Sequence, residues 1–473
     1  MEGGHGGRRL AWGLGGGGGQ FAALGLAAAL VFSLAGPSLP AAPSAARGQG
    51  PEPAPTRDLS NRLPASTTTS VPTTTTTTSA KPPAPSPLAA KATPKAATTV
   101  ATPPTTTAPP APSSAAAGVI GASGTHLTLN GAPYTFVGVN AYEIGTDWGV
   151  NNGCGGEETQ AQLDQLFSNL PPNSLVRFWA FQGTLATNNQ TGQLDWAPLD
   201  RVFDTAAAYH QRLIVVATDQ GGTCDGDYWQ DPAWYEGGFM KAYPYVVDGV
   251  NLTPLSYWQY LQDLVTRYRN SPALGMWEPI SEAEASTCPD AGQDNGGTAS
   301  CSGSQTCPNE TAAAQALRSF FDTVGAEIHS LDPEHLVEDG LLGGGQCGSS
   351  GSDYAYVSES PGIDVLSVHD YYGAAAMGGD QWNGMAVRFA QAQAVGKPII
   401  VGEVGIEAGT APGCTTLQER ASEMAAKEQA ESQAGSSGLL VWDWEPAPTS
   451  DCTYDTYPGD PLMGLIAQGP QTT

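Results

Sequence analysis

From Val119 to Thr473 the chain alternates short β-rich runs with helical stretches, and that rhythm leaves few folds open. The candidate strands are Thr135–Asn140, Leu175–Phe181, Leu213–Thr218, Ala273–Ile280, Leu336–Asp339, Val365–His369, Ile399–Glu403 and Leu439–Trp442. Helical patterns fill the intervals: Glu157–Leu170, Leu199–His210, Pro254–Arg269, Ala312–Leu331, Gln381–Val395 and Thr416–Ala434. Strands separated by helices form parallel sheets, and eight in this rhythm predict a closed (β/α)8 TIM barrel. A doubly wound open sheet is the competing architecture. It asks for a Gly-rich phosphate turn after the first strand, and Gly138-Val139-Asn140-Ala141 is not one.

The first 117 residues do not share this pattern. Arg8 and Arg9 precede an apolar run, Phe21 to Ala35, whose length of about 15 residues suits the core of an export signal better than a membrane span. Residues 1–46 are therefore read as a signal peptide or signal anchor, and residues 47–117 as a disordered Pro/Thr/Ala-rich linker that includes Thr73–Thr78. Such a segment has too little apolar surface to offset chain entropy, and its prolines favour an extended spacer. It could tether residues 118–473 to a membrane or cell wall, on the outside or in the medium. No second folded module is expected on the N-terminal side of the spacer, and a monomer is expected.

Charge narrows the partners. The chain has 46 acidic and 19 Lys or Arg residues, net −27, which argues against nucleic acid. Only 14% of residues are charged, a surface suited to a neutral ligand. All eight cysteines fall after residue 118, an even count that suggests disulfides in an exported chain, with the pairing left open. Cys288, Cys301 and Cys307 share one Gly/Ser/Asn-rich loop. Zinc is the rival reading, but no CxxC pair or His cluster supports it. No metal or organic cofactor is expected.

A barrel of this kind carries its active site at the C-terminal ends of its strands. Those ends hold Asn140 and Tyr142, Arg177 and Trp179, Asp219, Glu282, His369 and Tyr371, Glu403, and Trp442 and Trp444. Two carboxylates on different strands, an Arg, a His and several aromatics make the set that glycoside hydrolysis needs. One acid protonates the leaving oxygen, the other attacks the anomeric carbon, and rings stack on sugar faces. Glu403 ends an apolar strand, where an unpaired carboxylate is costly, so it is either paired or functional. Arg177 would serve both readings by favouring its charged form. Trp277 to Glu284 offers three glutamates. Alternation puts Glu278 and Glu282 on one side, with Glu278 deeper and Glu282 at the rim. Periodicity favours Glu282 without excluding Glu278.

These segments resemble glycoside hydrolase family 5, a family of retaining β-glycosidases. Tyr268-Arg269-Asn270-Ser271-Pro272 through Trp277-Glu278-Pro279-Ile280-Ser281-Glu282 is similar to the family's fourth strand, and the spacing from Pro272 selects Glu282 as acid/base. Phe136 to Tyr142, Val176 to Phe181, His369-Asp370-Tyr371, Pro398 to Gly405 and Val441 to Trp444 look like the first, second, sixth, seventh and eighth strand regions, in the right order. The resemblance implies Glu403 as nucleophile and Asn140, Arg177, Trp179, Ser281, His369, Tyr371 and Trp442 as substrate-binding. Leu194-Asp195 and Leu199 to Val202 add a look of endo-β-1,4-mannanases. The implied substrate is a β-1,4-linked polysaccharide, mannan or β-glucan. One departure is plain: Ser281 stands where the family has Asn, and Ala283 where it has Pro. Ser carries one hydroxyl where Asn carries an amide, which keeps a non-catalytic carbohydrate-binding barrel as the alternative. A wall-tethered adhesion protein would leave the paired carboxylates without a purpose.

Overall fold

The computed structural model describes residues 118–469, except 223, 227 and 289–304. The expected leader, the linker and Cys301 lie outside the described residues. Eight parallel strands run β1 (Phe136–Asn140), β2 (Leu175–Trp179), β3 (Arg212–Val216), β4 (Leu274–Glu278), β5 (Leu336–Val337), β6 (Leu366–Asp370), β7 (Ile399–Val404) and β8 (Ser436–Val441). Each is followed by a helix: α1 (Gln160–Ser168), α2 (Ala197–Ala208), α3 (Tyr257–Tyr268), α4 (Glu310–Leu331), α5 (Asp353–Ser358), α6 (Met385–Val395), α7 (Leu417–Ala434) and α8 (Pro461–Gln468). The sheet order is β5-β4-β3-β2-β1-β8-β7-β6. A parallel bridge from Glu338 to Val365 joins the two outer strands, so the sheet closes. The expected (β/α)8 barrel is what the chain forms.

Local chemistry sets the helix limits. Thr159, Ser256 and Thr416 each begin a helix with a capping box closed by Gln162, Gln259 and Glu419. Asp460 caps α8 ahead of Pro461, while Gly396 and Gly435 end α6 and α7 in left-handed conformations. Most barrel strands are buried on both faces, which is why they read as continuous apolar runs. Their inward residues form layers. The lowest is apolar: Phe136, Leu175, Ile214, Met276, Val365, Ile400 and Leu440. An N-terminal hairpin, Ile120–Ser123 with His126–Leu129, adds Ile120 and Leu127 to that cluster. Each fully buried aliphatic side chain contributes about 1.5–3 kcal/mol.

At Gly138 the inner wall has no room for a side chain. A Cβ there would sit 2.1 Å from the Leu175 carbonyl oxygen and 2.8 Å from Leu440 Cδ2. Gly138→Ala is expected to destabilise the fold by about 1–3 kcal/mol, as overpacking does. Urea unfolding would show this as a lower midpoint at unchanged slope. An unshifted midpoint would mean that β1 and β2 do not approach so closely.

Candidate active site

Above the apolar layer the barrel interior becomes polar, and Arg177 organises it. This residue is 1% exposed, and all five of its N–H donors are used. Nε and Nη2 hold the two oxygens of Glu278 at 2.6 Å each; Nη1 reaches Asn140 Oδ1 at 3.0 Å and Glu403 Oε1 at 2.7 Å; Nη2 also meets Ser281 Oγ at 2.7 Å. Burial alone would favour losing the Arg177 proton, but the Glu278 and Glu403 carboxylates outweigh it and raise its pKa. Asn140 is further tied through Nδ2 to the Gly402 and Leu440 carbonyls, at 3.0 and 3.3 Å. Asn140 and Ser281 thus face the guanidinium rather than the opening.

A local irregularity brings Glu403 into this layer. Ile400 faces the interior, so strict alternation would put Gly402 inside and Glu403 outside. The β6–β7 register skips one residue between Val401 and Glu403, setting His369 opposite Glu403. Such a bulge re-aims a side chain. Gly402 fits there because a Cβ would lie 2.3 Å from Ser367 Oγ and 3.1 Å from His369 Nε2. Once inside, Glu403 also accepts from the Tyr371 hydroxyl at 2.6 Å. Burial and the Glu403 charge push the Tyr371 pKa well up, so the phenol stays a donor.

Glu282 arrives differently. The expected strand over Ala273–Ile280 ends at Glu278, ahead of Pro279, which has no N–H for the ladder. Alternation therefore does not place Glu282. A turn does: its φ is 56°, a conformation that costs a non-glycine residue of order 1 kcal/mol or more and that clusters at functional sites. Its N–H donates to the Gly340 carbonyl at 2.7 Å.

His369 links the two acids. Its Nδ1 lies 2.8 Å from Glu282 Oε1 and 3.5 Å from Glu403 Oε2. Burial opposes its charged form, but Glu403 and then Glu282 outweigh that and raise its pKa. The ligand atoms of Glu282, His369 and Glu403 lie within 4.8 Å of one another. That spacing alone would admit a divalent ion. The Arg177 guanidinium on Glu403 and the cationic tendency of His369 weigh against one. Cys307, Glu310 and Cys347 also converge, but both cysteines are in a disulfide.

Aromatic rings line one side. Tyr142 and Trp442 stack at 5.4 Å with 10° between planes, and Trp442 keeps an exposed part. Trp179, 5% exposed, packs beneath them, 4.6 Å from Tyr142 and 4.9 Å from Phe181. Trp444 is fully packed into the core. Tyr142, read at the end of the first strand, belongs to this wall as the ring stacked on Trp442. Asp219 is buried beside Glu282, and its Oδ1 has no hydrogen-bond partner.

Three disulfides staple the loops on this face. Cys154–Cys224 ties the β1–α1 loop to the β3–α3 loop, Cys307–Cys347 ties β4–α4 to β5–α5, and Cys414–Cys452 ties β7–α7 to β8–α8. Cys288 is also disulfide-bonded.

Comparison with known proteins finds mannan endo-1,4-beta-mannosidases among the relatives of this chain. No family model matches the chain. It is 25% identical over 296 residues to the probable mannan endo-1,4-beta-mannosidase C of Aspergillus terreus, covering 54% of this chain and 64% of that protein, just under two thirds of its length. It is 26% identical over 350 residues to mannan endo-1,4-beta-mannosidase A of Podospora anserina, covering 68% and 81%. The endo-1,4-beta-mannanase structure from Rhizomucor miehei superposes with a TM-score of 0.51 at 19% identity, over 74% of this chain and 98% of that one, and shares the barrel fold. The likeness to endo-β-1,4-mannanases, read from the strand-end motifs, is borne out by these relatives.

Proposed function

We propose that this chain is an exported, retaining endo-β-1,4-mannanase. The observation that carries the mechanism is the pairing of Glu282 and Glu403, with carboxylate oxygens within 4.8 Å of one another, from the ends of β4 and β7. Retention goes with carboxyl groups about 5–5.5 Å apart, and inversion with about 6.5–9.5 Å. Their surroundings assign the roles. Glu403, 6% exposed in its side chain, is held by Arg177 and Tyr371, which aim it. The Glu282 side chain is 27% exposed and can exchange protons with water. Glu403 attacks the anomeric carbon and forms a glycosyl ester as Glu282 protonates the departing oxygen. Water then gives its proton to Glu282 and its oxygen to the anomeric carbon, releasing Glu403. His369 positions Glu282, and Trp442, backed by Tyr142, is the platform under the sugar. Likeness to mannan endo-1,4-beta-mannosidases supports mannan as substrate. The disulfides fit an oxidising, extracellular compartment. Among the described residues no helix is long and apolar enough to cross a membrane.

Reducing-sugar release by the full chain from mannan, glucomannan and β-glucan tests the reading, with release from mannan expected. No release from any polymer by folded protein would favour a carbohydrate-binding barrel. Glu282→Gln gives a second check. Turnover of mannan should fall about 10²- to 10⁴-fold. Aryl mannosides with good leaving groups need no proton in the first step, so they should show a burst, and azide should restore turnover. Equal losses on both substrates, without azide rescue, would remove Glu282 from the acid/base role.

A further inference from the structure

The same face of the barrel carries a second group of acids that the proposed hydrolysis does not use. Glu143 follows β1, Glu158 precedes α1, Asp443 and Glu445 follow β8, and Asp455 lies later in the β8–α8 loop. The loop doubles back to bring the last three together: the Glu445 N–H donates to the Thr456 carbonyl at 2.8 Å and the Thr456 N–H to the Asp443 carbonyl at 2.7 Å. One oxygen from each of Asp443, Glu445 and Asp455 lies within 4.8 Å of the others. Converging acids alone do not make a site. A separate feature points to a ligand: Asp443 is only 6% exposed, yet its Oδ1 has no hydrogen-bond partner. A buried carboxylate oxygen left unpaired is costly. Buried Glu143 adds negative charge beside it. Arg201, which faces Glu158, lies 3.7 Å from Asp147 and donates to the Thr146 carbonyl.

We propose that Asp443, Glu445 and Asp455 bind a hard divalent cation of calcium size, beside the Tyr142–Trp442 wall. Calcium takes oxygen ligands at about 2.3–2.6 Å, so oxygens on opposite sides of it stand up to about 5 Å apart, as these do. The all-oxygen donor set disfavours zinc and copper, which prefer nitrogen and sulfur. Magnesium demands a tighter octahedron and keeps its water. The ion would fix the segment that carries Trp442, because Trp442 and Trp444 flank Asp443 in the chain.

The test uses the full chain stripped with a chelator. Terbium, excited through tryptophan, should give a saturable signal of one ion per chain, displaced by calcium at least about tenfold more readily than by magnesium. Calcium chloride should raise Tm in a concentration-dependent way, as binding to the native state requires. Glu445→Gln should weaken calcium binding at least about tenfold. If that variant does not fold, equilibrium dialysis of calcium against the wild-type chain decides. No saturable calcium uptake would mean the acids are held by protons alone and would overturn the proposal. So would uptake that persists in folded Glu445→Gln and Asp455→Asn, or equal displacement by magnesium.

Discussion

Glu403→Gln should abolish turnover of mannan while leaving the barrel folded. An amide cannot attack an anomeric carbon, and losing a covalent nucleophile costs on the order of 10⁴- to 10⁶-fold in kcat. The substitution is otherwise quiet. The Gln carbonyl can still accept from Arg177 Nη1, and its NH2 can donate to the Tyr371 oxygen, replacing two hydrogen bonds that Glu403 now makes. Arg177 keeps Glu278 as its ion-pair partner. Tm should therefore move little, and binding of manno-oligosaccharide should survive. Measured kcat within tenfold of wild type would refute Glu403 as nucleophile and move attention to Glu278.

Arg177→Met should be the most destabilising single change in the site. It removes one cation and five hydrogen bonds at once, and it leaves the Glu278 and Glu403 carboxylates buried without the charge that faces them. Removing one partner of a buried pair typically costs about 3–5 kcal/mol. Arg177→Lys should rescue little. An ammonium has three donors and no planar fork, so it cannot hold Glu278 at two points while meeting Glu403, Asn140 and Ser281. Chemical denaturation reads the loss. A Met variant within about 1 kcal/mol of wild type would mean that the network is not held as drawn.

The barrel was legible in the sequence because each strand is an apolar run between helical patterns. All eight strands and all six expected helices form, with ends moved by a few residues. The shifts have local causes. The fourth run stops at Glu278 because Pro279 cannot continue the ladder, and the sixth reaches Asp370, one residue past its expected end. The N-terminal hairpin was missed, although Asn130-Gly131, both with positive φ, is a turn signal that joins its second strand to Ala132–Pro133. Short α5 and α8 were missed too, being too brief to show a period.

In the site, chain position identified the rim residues but not their partners. Glu278 read only as a deeper carboxylate; in three dimensions it is the main anchor of Arg177. Ser281 read as a substrate contact, and chain position did not show that its hydroxyl accepts from the guanidinium. Neither the skipped residue that turns Glu403 inward nor the left-handed turn at Glu282 leaves a mark in apolar periodicity. Disulfide pairing was illegible because it depends on which loops meet across the rim.

Those disulfides separate the molecule into two layers with different redox fates. Every described bridge joins one strand-to-helix loop to another, and none ties a barrel strand or a barrel helix. The (β/α)8 scaffold can therefore assemble from apolar burial, and oxidation of the thiols adds cross-ties between its rim loops. In a reducing compartment the chain would keep Glu282 and Glu403 on the same frame while the rim loops lost these cross-ties. Its hydrolytic capacity would then be set by the place where the protein matures as much as by the residues that do the chemistry.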